Sequence, residues 1–397
     1  MPGMIRTAFT LPDKTRWTGG YQYFVNLFRV LHRHGAGRVR PVIFVGDDMD
    51  AAALAPIEGA AAEVIRSDDF SAAKTGARLA DALLTGSDRR AAKLYREHAI
   101  QVVFESARYH GWRFPFPTIA WLPDFQHRCL PGVFSRRAWL QREIGFRAQI
   151  ASARMVMLSS ESSRADCERF YVGSCGRIRV VPFAAELPPE AHLASADDTA
   201  KKYRLPAEYI YLPNQFWEHK NHRLIIEALK VLQQRGVDVT VAASGALADY
   251  RHPGLLRQLE ARVGELGLQA RFRFLGLIPR ADVYGLMRGA AAIVNPSLFE
   301  GWSTPVEEAR ALGVPLLLSD IPVHREQAGG KAVYFDAQSA GSAADAISAV
   351  IGKACTEQRE PPAVVAKQNQ ARLVAYASQV ERLIEEVAAG RGMDSGS

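Results

Sequence analysis

The chain has 397 residues, 48% of them hydrophobic and 23% charged, which is longer than a typical single domain and ordinary for a globular one, so two domains are expected. No run of apolar residues is long enough for a membrane-spanning helix, and the opening MPGMIRTAFTLPDKTRW lacks the apolar core of a signal peptide, so the sequence predicts a cytoplasmic protein. The net charge of +7 is uneven, with 26 Lys and Arg against 19 Asp and Glu in residues 1–190 and 23 of each afterwards. A basic first half suits phosphates, nucleic acid or an anionic membrane, against the plainer reading of a solvated surface. The four cysteines, Cys129, Cys167, Cys175 and Cys355, have neither C-x-x-C spacing nor a histidine cluster, which predicts reduced thiols and no zinc site.

In chain order, RTAFTL, PVIFVG, QVVFES, TIAWLPD, RMVMLSS and IRVVPF read as strands, with helical patterns between several of them. Gly19 and Gly20 fall between the first strand and a helix whose Phe24, Leu27, Phe28 and Leu31 share one face. Glycine permits a close backbone approach by a ligand, although a plain turn explains a glycine pair equally well. TIAWLPDFQHRCLPGVFS places Asp124 and His127 just past a strand end, where parallel sheets bind ligands; a lone histidine is more often packed than catalytic. Ser159 and Ser160, ending the next strand, are expected as helix N-caps.

Between residues 108 and 147, Arg108, Arg113, Arg128, Arg136, Arg137, Arg142 and Arg147 outnumber Asp124 and Glu143. They flank Trp112, Phe114, Phe116, Phe134 and Trp139, a mixture that suits an anionic membrane surface unless the arginines are solvated and the rings are core. Around 184–204, AAELPPEAHLASADDTAKKYR has a linker's proline and polar character. The expected domains are therefore residues 1–190 and 205–390, each Rossmann-like, with a frayed tail after them.

The second half alternates short apolar runs with amphipathic helices: YIYL before HRLIIEALKVLQQRG, VTVAA before LLRQLEARVGELG, RFRFLG before RADVYGLMRGA, then AAIVN and VPLLLSD. Short apolar strands separated by helices imply a parallel sheet covered on both faces. Two such domains give an α/β architecture whose sheets face each other across a cleft. In YLPNQFWEHKNH, Lys220 stands just before a helix, where an ammonium and a helix start can share an anion.

NPSLFEGWSTPVEEARALG, residues 295–313, sets two acids on either side of a turn. Thr304-Pro305-Val306-Glu307 reads as a capping box with proline at the first helical position, which gives Glu307 a structural task. Glu308 points about 100° further round the helix and is free for a ligand. Glu300 falls in the loop after a strand, beside the backbone amides of Gly301, Ser303 and the helix start. Carboxylates in such a pocket accept from vicinal hydroxyls, which suits a sugar and a ribose better than a phosphate.

This order, with K-N before a helix, F-L-G, P-S-x-x-E-G-x-x-x-P-x-x-E-A-x-A-x-G-x-P and S-D, resembles the retaining glycosyltransferases of family four, which have the two-domain GT-B fold. The resemblance covers nearly the whole chain. It implies transfer of a hexose, mannose among the candidates, from a GDP- or UDP-linked donor to a glycan or lipid-linked acceptor in cell-surface polysaccharide synthesis. It further implies that Glu300 contacts the donor sugar, Glu308 the ribose and Lys220 the diphosphate, with Gly19 and Gly20 approaching the phosphates and acceptor. Asn214 and Gln215 stand where the family often has Gly-Arg, and Glu300-Gly301-Trp302-Ser303 replaces the common E-G-F-G; these residues and Thr304 complete the expected donor site. Pro123 replaces the histidine that often precedes the aspartate matching Asp124, which leaves two readings: His127 takes over its role, or the chain has no such histidine.

The resemblance implies a same-face reaction in which the leaving phosphate deprotonates the acceptor hydroxyl, so orientation and charge stabilisation are the protein's contribution. No cofactor and no metal are expected, because no D-x-D-like pair ends a strand. A nucleotide-sugar epimerase on the same fold is the nearest alternative. Nucleic-acid binding is disfavoured by the lack of a basic-aromatic motif, and a nicotinamide dehydrogenase by the lack of G-x-G-x-x-G after a strand. The basic region points to a peripheral position on the inner face of the membrane.

Overall fold

The computed structural model describes residues 4–14, 17–60, 63–106, 108–152, 154–249, 251–351 and 359–390; Cys355 and the tail 391–397 lie outside them. The chain forms two compact units, Met1–Arg128 with Arg136–Ala184 and Gln370–Ser397, and Cys129–Ser135 with Ala185–Asn369. The expected second domain ending at 390 is thereby corrected. The helix Pro362–Ala388 begins in the second unit and from Gln370 onward belongs to the first. The reason is Glu381, a buried acid that accepts hydrogen bonds from the amides of Ala36 (3.0 Å) and Arg38 (3.1 Å) and from the Arg38 guanidinium. The stretch expected to be a linker contains two short helices, Glu190–Leu193 and Ala196–Lys202.

The first unit is built on a sheet of seven parallel strands in the order β3-β2-β1-β4-β5-β6-β7. These are β1 (Ile5–Thr10), β2 (Val39–Val45), β3 (Glu63–Arg66), β4 (Val102–Ser106), β5 (Thr118–Trp121), β6 (Met155–Leu158) and β7 (Ile178–Val180). β3 escaped the sequence because EVIR at a sheet edge carries charges at both ends and only two apolar residues. At the centre, Phe9 of β1 stacks on Phe104 of β4 (centroids 5.0 Å) and meets Phe28 edge-on (5.1 Å), which pins the helix Thr18–His34 to the sheet.

The second unit has six parallel strands in the order β10-β9-β8-β11-β12-β13. They are β8 (Ile210–Leu212), β9 (Val241–Ser244), β10 (Phe272–Gly276), β11 (Ala292–Asn295), β12 (Leu316–Ser319) and β13 (Ala332–Phe335). Strand alternation sorts the core. Ile210 and Leu212 face Ile225, Leu229 and Leu232 of the helix His222–Gln234, while Tyr209 and Tyr211 face the layer holding Tyr284, Met287, Val306 and Ala309. Leu229 and Leu232 are fully buried, so truncating either to alanine costs about 2–5 kcal/mol. Both sheets follow the doubly wound order in which connections leave a central pair in opposite directions, β1/β4 in one and β8/β11 in the other. Ligands bind at the carboxyl ends of such a pair.

Candidate active site

In the second unit the loops after β8 and β11 carry the expected donor residues to that switch point. After β8 the chain runs through buried Asn214 and a 3₁₀ turn at Glu218–Lys220 to the helix starting at His222. Asn221 between them is left-handed (φ 55°), and its amide donates to the carbonyls of Pro296 (3.1 Å) and Ala337 (2.9 Å). The Leu298 amide also donates to the His219 carbonyl at 2.8 Å. These bonds lock the two loops together. Gly245 makes the approach possible, since at φ 149° a Cβ there would lie 2.5 Å from the Asn214 carbonyl oxygen.

The Lys220 ammonium meets the Glu300 carboxylate at 2.6 Å, with side-chain exposures of 13% and 8%. The same Glu300 oxygen accepts from Ser297 Oγ (2.7 Å), which also lies 2.6 Å from Asn295 Oδ1, and Asn214 Nδ2 donates to that Asn295 oxygen at 3.2 Å. Asn295 Nδ2 donates to Ser303 Oγ at 2.7 Å. Lys220, Glu300, Asn214 and Ser303 are thus one connected group. Asn221, Asn295 and Ser297, which hold it, were missed by the sequence reading, although N-P-S was legible as a turn after a strand.

The helix with the second acid runs Thr304–Leu312, one residue earlier than expected, and ends at left-handed Gly313 (φ 66°) as expected. The capping box is not formed. Ser303 is the N-cap residue, and its amide donates to Gln327 Oε1 (3.3 Å), so Gln327 takes the task assigned to Glu307. Glu307 remains structural by another route, accepting from Arg310 Nη1 (2.5 Å) and Gln327 Nε2 (3.0 Å) while almost fully buried. Glu308 is not free as expected. Its carboxylate is buried, in contact with Arg280, and accepts from the Tyr284 hydroxyl at 3.3 Å. Gly301 is buried, and Gln215, Trp302 and Thr304 are half-buried.

In the first unit, Gly19 and Gly20 lie within the first turn of the helix Thr18–His34, not in a loop before it. Gly20 is required by packing, since a Cβ there would lie 2.5 Å from the Trp17 ring, which stacks on Trp121. Asp124 sits beyond β5 with Oδ1 accepting from the Gln126 amide (2.9 Å) and Arg142 (2.7 Å). His127 is corrected to a core residue. Its ring is fully buried with Nε2 3.1 Å from Glu143 and 3.2 Å from the Tyr171 hydroxyl, and its carbonyl accepts from Trp139 Nε1 at 2.7 Å. Burial raises the Glu143 carboxyl, but Arg147, Arg128 and Tyr171 outweigh it and hold it at about 2. Of the basic cluster, then, Arg128 and Arg147 serve Glu143 and Arg142 serves Asp124. Ser160 caps its helix by accepting from the Ser163 amide at 2.9 Å, as expected.

Two doubly wound parallel units define the GT-B class, and the structural similarities agree. The chain shares its fold with a sucrose-phosphate synthase of Thermosynechococcus elongatus (TM-score 0.68, 18% identity, 97% of this chain and 100% of that one). It also shares it with HepE of Anabaena, solved in complex with UDP and glucose (TM-score 0.66, 16% identity, 96% and 99%). Residues 197–369 match the family model of glycosyl transferases group 1. The O-antigen chain mannosyltransferase B of Escherichia coli is 25% identical over 253 residues, which are 61% of this chain and 64% of that protein. The chain spans less than two thirds of the length of the first curated relatives it matches. No helix among the described residues is long and apolar enough to cross a membrane.

Proposed function

We propose that the protein is a metal-independent, retaining glycosyltransferase that moves a hexose from a nucleotide-sugar donor to a glycan or lipid-linked acceptor in cell-surface polysaccharide synthesis. The observation that carries this reading is the Lys220–Glu300 contact at the β8/β11 switch point, inside the region matched by the group 1 family. A nucleoside diphosphate entering there takes the Lys220 ammonium, and the hexose hydroxyls take the Glu300 carboxylate, so donor binding exchanges one ion pair for two ligand contacts. Lys220 then stabilises the departing diphosphate, where charge develops in the transition state. The UDP and UDP-glucose complexes of HepE support a nucleotide-sugar donor, and the O-antigen mannosyltransferase supports mannose and polysaccharide.

A thermal-shift screen of UDP, GDP, ADP and their hexose conjugates tests the reading, because a ligand of the native state raises Tm by linkage. One nucleotide series is expected to raise Tm, and its conjugate to be turned over equally with and without chelator. No shift with any of them overturns the donor assignment. Turnover lost in chelator and restored by magnesium or manganese overturns metal independence.

The acceptor side carries a partner proposal, an anionic membrane surface. Although Arg128, Arg142 and Arg147 are engaged in ion pairs, the helix Arg136–Ala151 still presents Leu140 (52% exposed) and Ile144 (55%) beside exposed Arg136 and Arg137, and Arg147 is itself exposed. Its only acid, Glu143, is turned into the core. Apolar residues flanked by arginines fit lipid headgroups over acyl chains.

A further inference from the structure

His324 is a buried titratable group that the donor site above does not use. It lies on the helix Pro322–Ala328, which follows β12, and its ring is fully buried. Nδ1 is 2.9 Å from the Ser319 carbonyl oxygen and 3.1 Å from Ser319 Oγ. Ser319 gives its one hydroxyl hydrogen to the Ser297 carbonyl at 2.6 Å, so both neighbours of Nδ1 are acceptors. Nδ1 therefore carries the ring hydrogen. Burial disfavours the imidazolium, which leaves Nε2 with a lone pair.

That Nε2 is buried and has no hydrogen-bond partner among the described residues. Buried polar atoms are normally satisfied, so an acceptor fixed in one tautomer and left without a donor marks a place where a ligand's hydrogen belongs. Its surroundings name the ligand. Ser297, whose carbonyl holds Ser319, donates its own hydroxyl to Glu300, so His324 and Glu300 are set by the same residue. The ring also interacts electrostatically with both Glu300 and Lys220. An anion gains nothing from a lone pair. A hydroxyl does.

We infer that His324 is a further donor-binding residue whose neutral Nε2 accepts a hydrogen bond from a hydroxyl of the transferred hexose, beside the contact made by Glu300. The inference rests on the nucleotide-sugar reading. With two acceptors fixed relative to each other, the pocket distinguishes hexoses by which hydroxyls can donate to both. A site built to hydrogen-bond a hydroxyl strongly rejects a sugar that lacks it in that place.

The test is calorimetry with UDP, GDP, UDP-glucose and GDP-mannose on the wild type, His324→Phe and His324→Gln. In His324→Phe the matching nucleoside diphosphate is expected to bind within about twofold of wild type and the hexose conjugate about tenfold more weakly, one hydrogen bond's worth. His324→Gln, whose amide oxygen reaches the Nε2 position, is expected to recover part of that loss. Equal weakening of diphosphate and conjugate, or none of either, overturns the inference and leaves the donor reading standing. Failure of the wild type to bind any of the four, together with no thermal shift in the ADP series, overturns the donor reading itself. Nitrogen-15 NMR of the wild-type histidines gives a result free of folding effects: the His324 Nε2 resonance is expected to move with the conjugate and not with the diphosphate, and an unmoved resonance sinks the proposal.

Discussion

Lys220 and Glu300 are each other's partner in a site with little solvent, so neither can be removed without consequence for the other. Lys220→Ala and Glu300→Gln are each expected to lose most turnover, about 2–4 kcal/mol of transition-state stabilisation. Melting curves recorded alongside separate this from unfolding, and near wild-type turnover in Lys220→Ala on the matching donor would refute its place at the diphosphate. Glu307 and Glu308 are adjacent, both buried and both in contact with an arginine, yet they face different neighbours. Both alanine variants are expected to lower Tm, because Glu307→Ala removes the acceptor of the buried Gln327 amide and of Arg310, and Glu308→Ala removes a buried carboxylate's contacts with Arg280 and Tyr284. Only Glu308→Ala is expected to weaken binding of the nucleoside diphosphate as well, through the ribose. Calorimetry giving equal affinities for the two variants would remove that distinction.

At the scale of elements, the helix Arg136–Ala151 does two things with one sequence. Its inward side supplies Phe146 and Ile150 to the core, together with the Glu143 cluster that holds His127 and Tyr171. Its outward side supplies Arg136, Arg137, Leu140, Ile144 and Arg147. Each arginine near an anionic bilayer contributes on the order of 1 kcal/mol, so a few such contacts hold a protein reversibly. Sedimentation with vesicles containing phosphatidylglycerol is expected to bring the protein down at low salt, less as salt rises, and much less after Arg136→Ser with Arg137→Ser. Equal binding to purely phosphatidylcholine vesicles, or to neither, would favour a soluble acceptor. Because Arg142 is tied to Asp124 at 2.7 Å, Arg142→Ser is expected to disturb the loop after β5 more than the lipid contact.

For the whole molecule, the C-terminal helix matters beyond its own unit of sequence. Glu381 satisfies two backbone amides of the first unit from a position almost 350 residues away. Glu381→Ala leaves those two amides without their acceptor and Arg38 with Glu385 as its remaining carboxylate, an expected cost of about 1–3 kcal/mol. The first unit's melting transition reports it, and an unchanged transition would mean that the return of the helix is incidental to stability.

The alternation of apolar strands with amphipathic helices was readable because both periods are local, and it yielded eleven of the thirteen strands among the described residues and the α/β class. The edge strands β3 and β13 were not: EVIR holds two apolar residues between charges, and AVYF, apolar throughout, is four residues long with only its last residue buried. The spacing of Lys220, Glu300 and Glu308 was equally local, each fixed by a strand end and the helix after it. What only the tertiary structure decided is which side chain each of these groups meets. Gln327 displaces Glu307 from the cap, Arg280 occupies Glu308, Glu143 draws His127 into the core, and Ser319 fixes the tautomer of His324. All four pairings join residues brought together by packing, by neighbouring loops at one end of a sheet or by the turns of a short helix. Hydrogen bonds are made within about 3 Å, a distance that strand order and loop closure set and that residue spacing does not reveal.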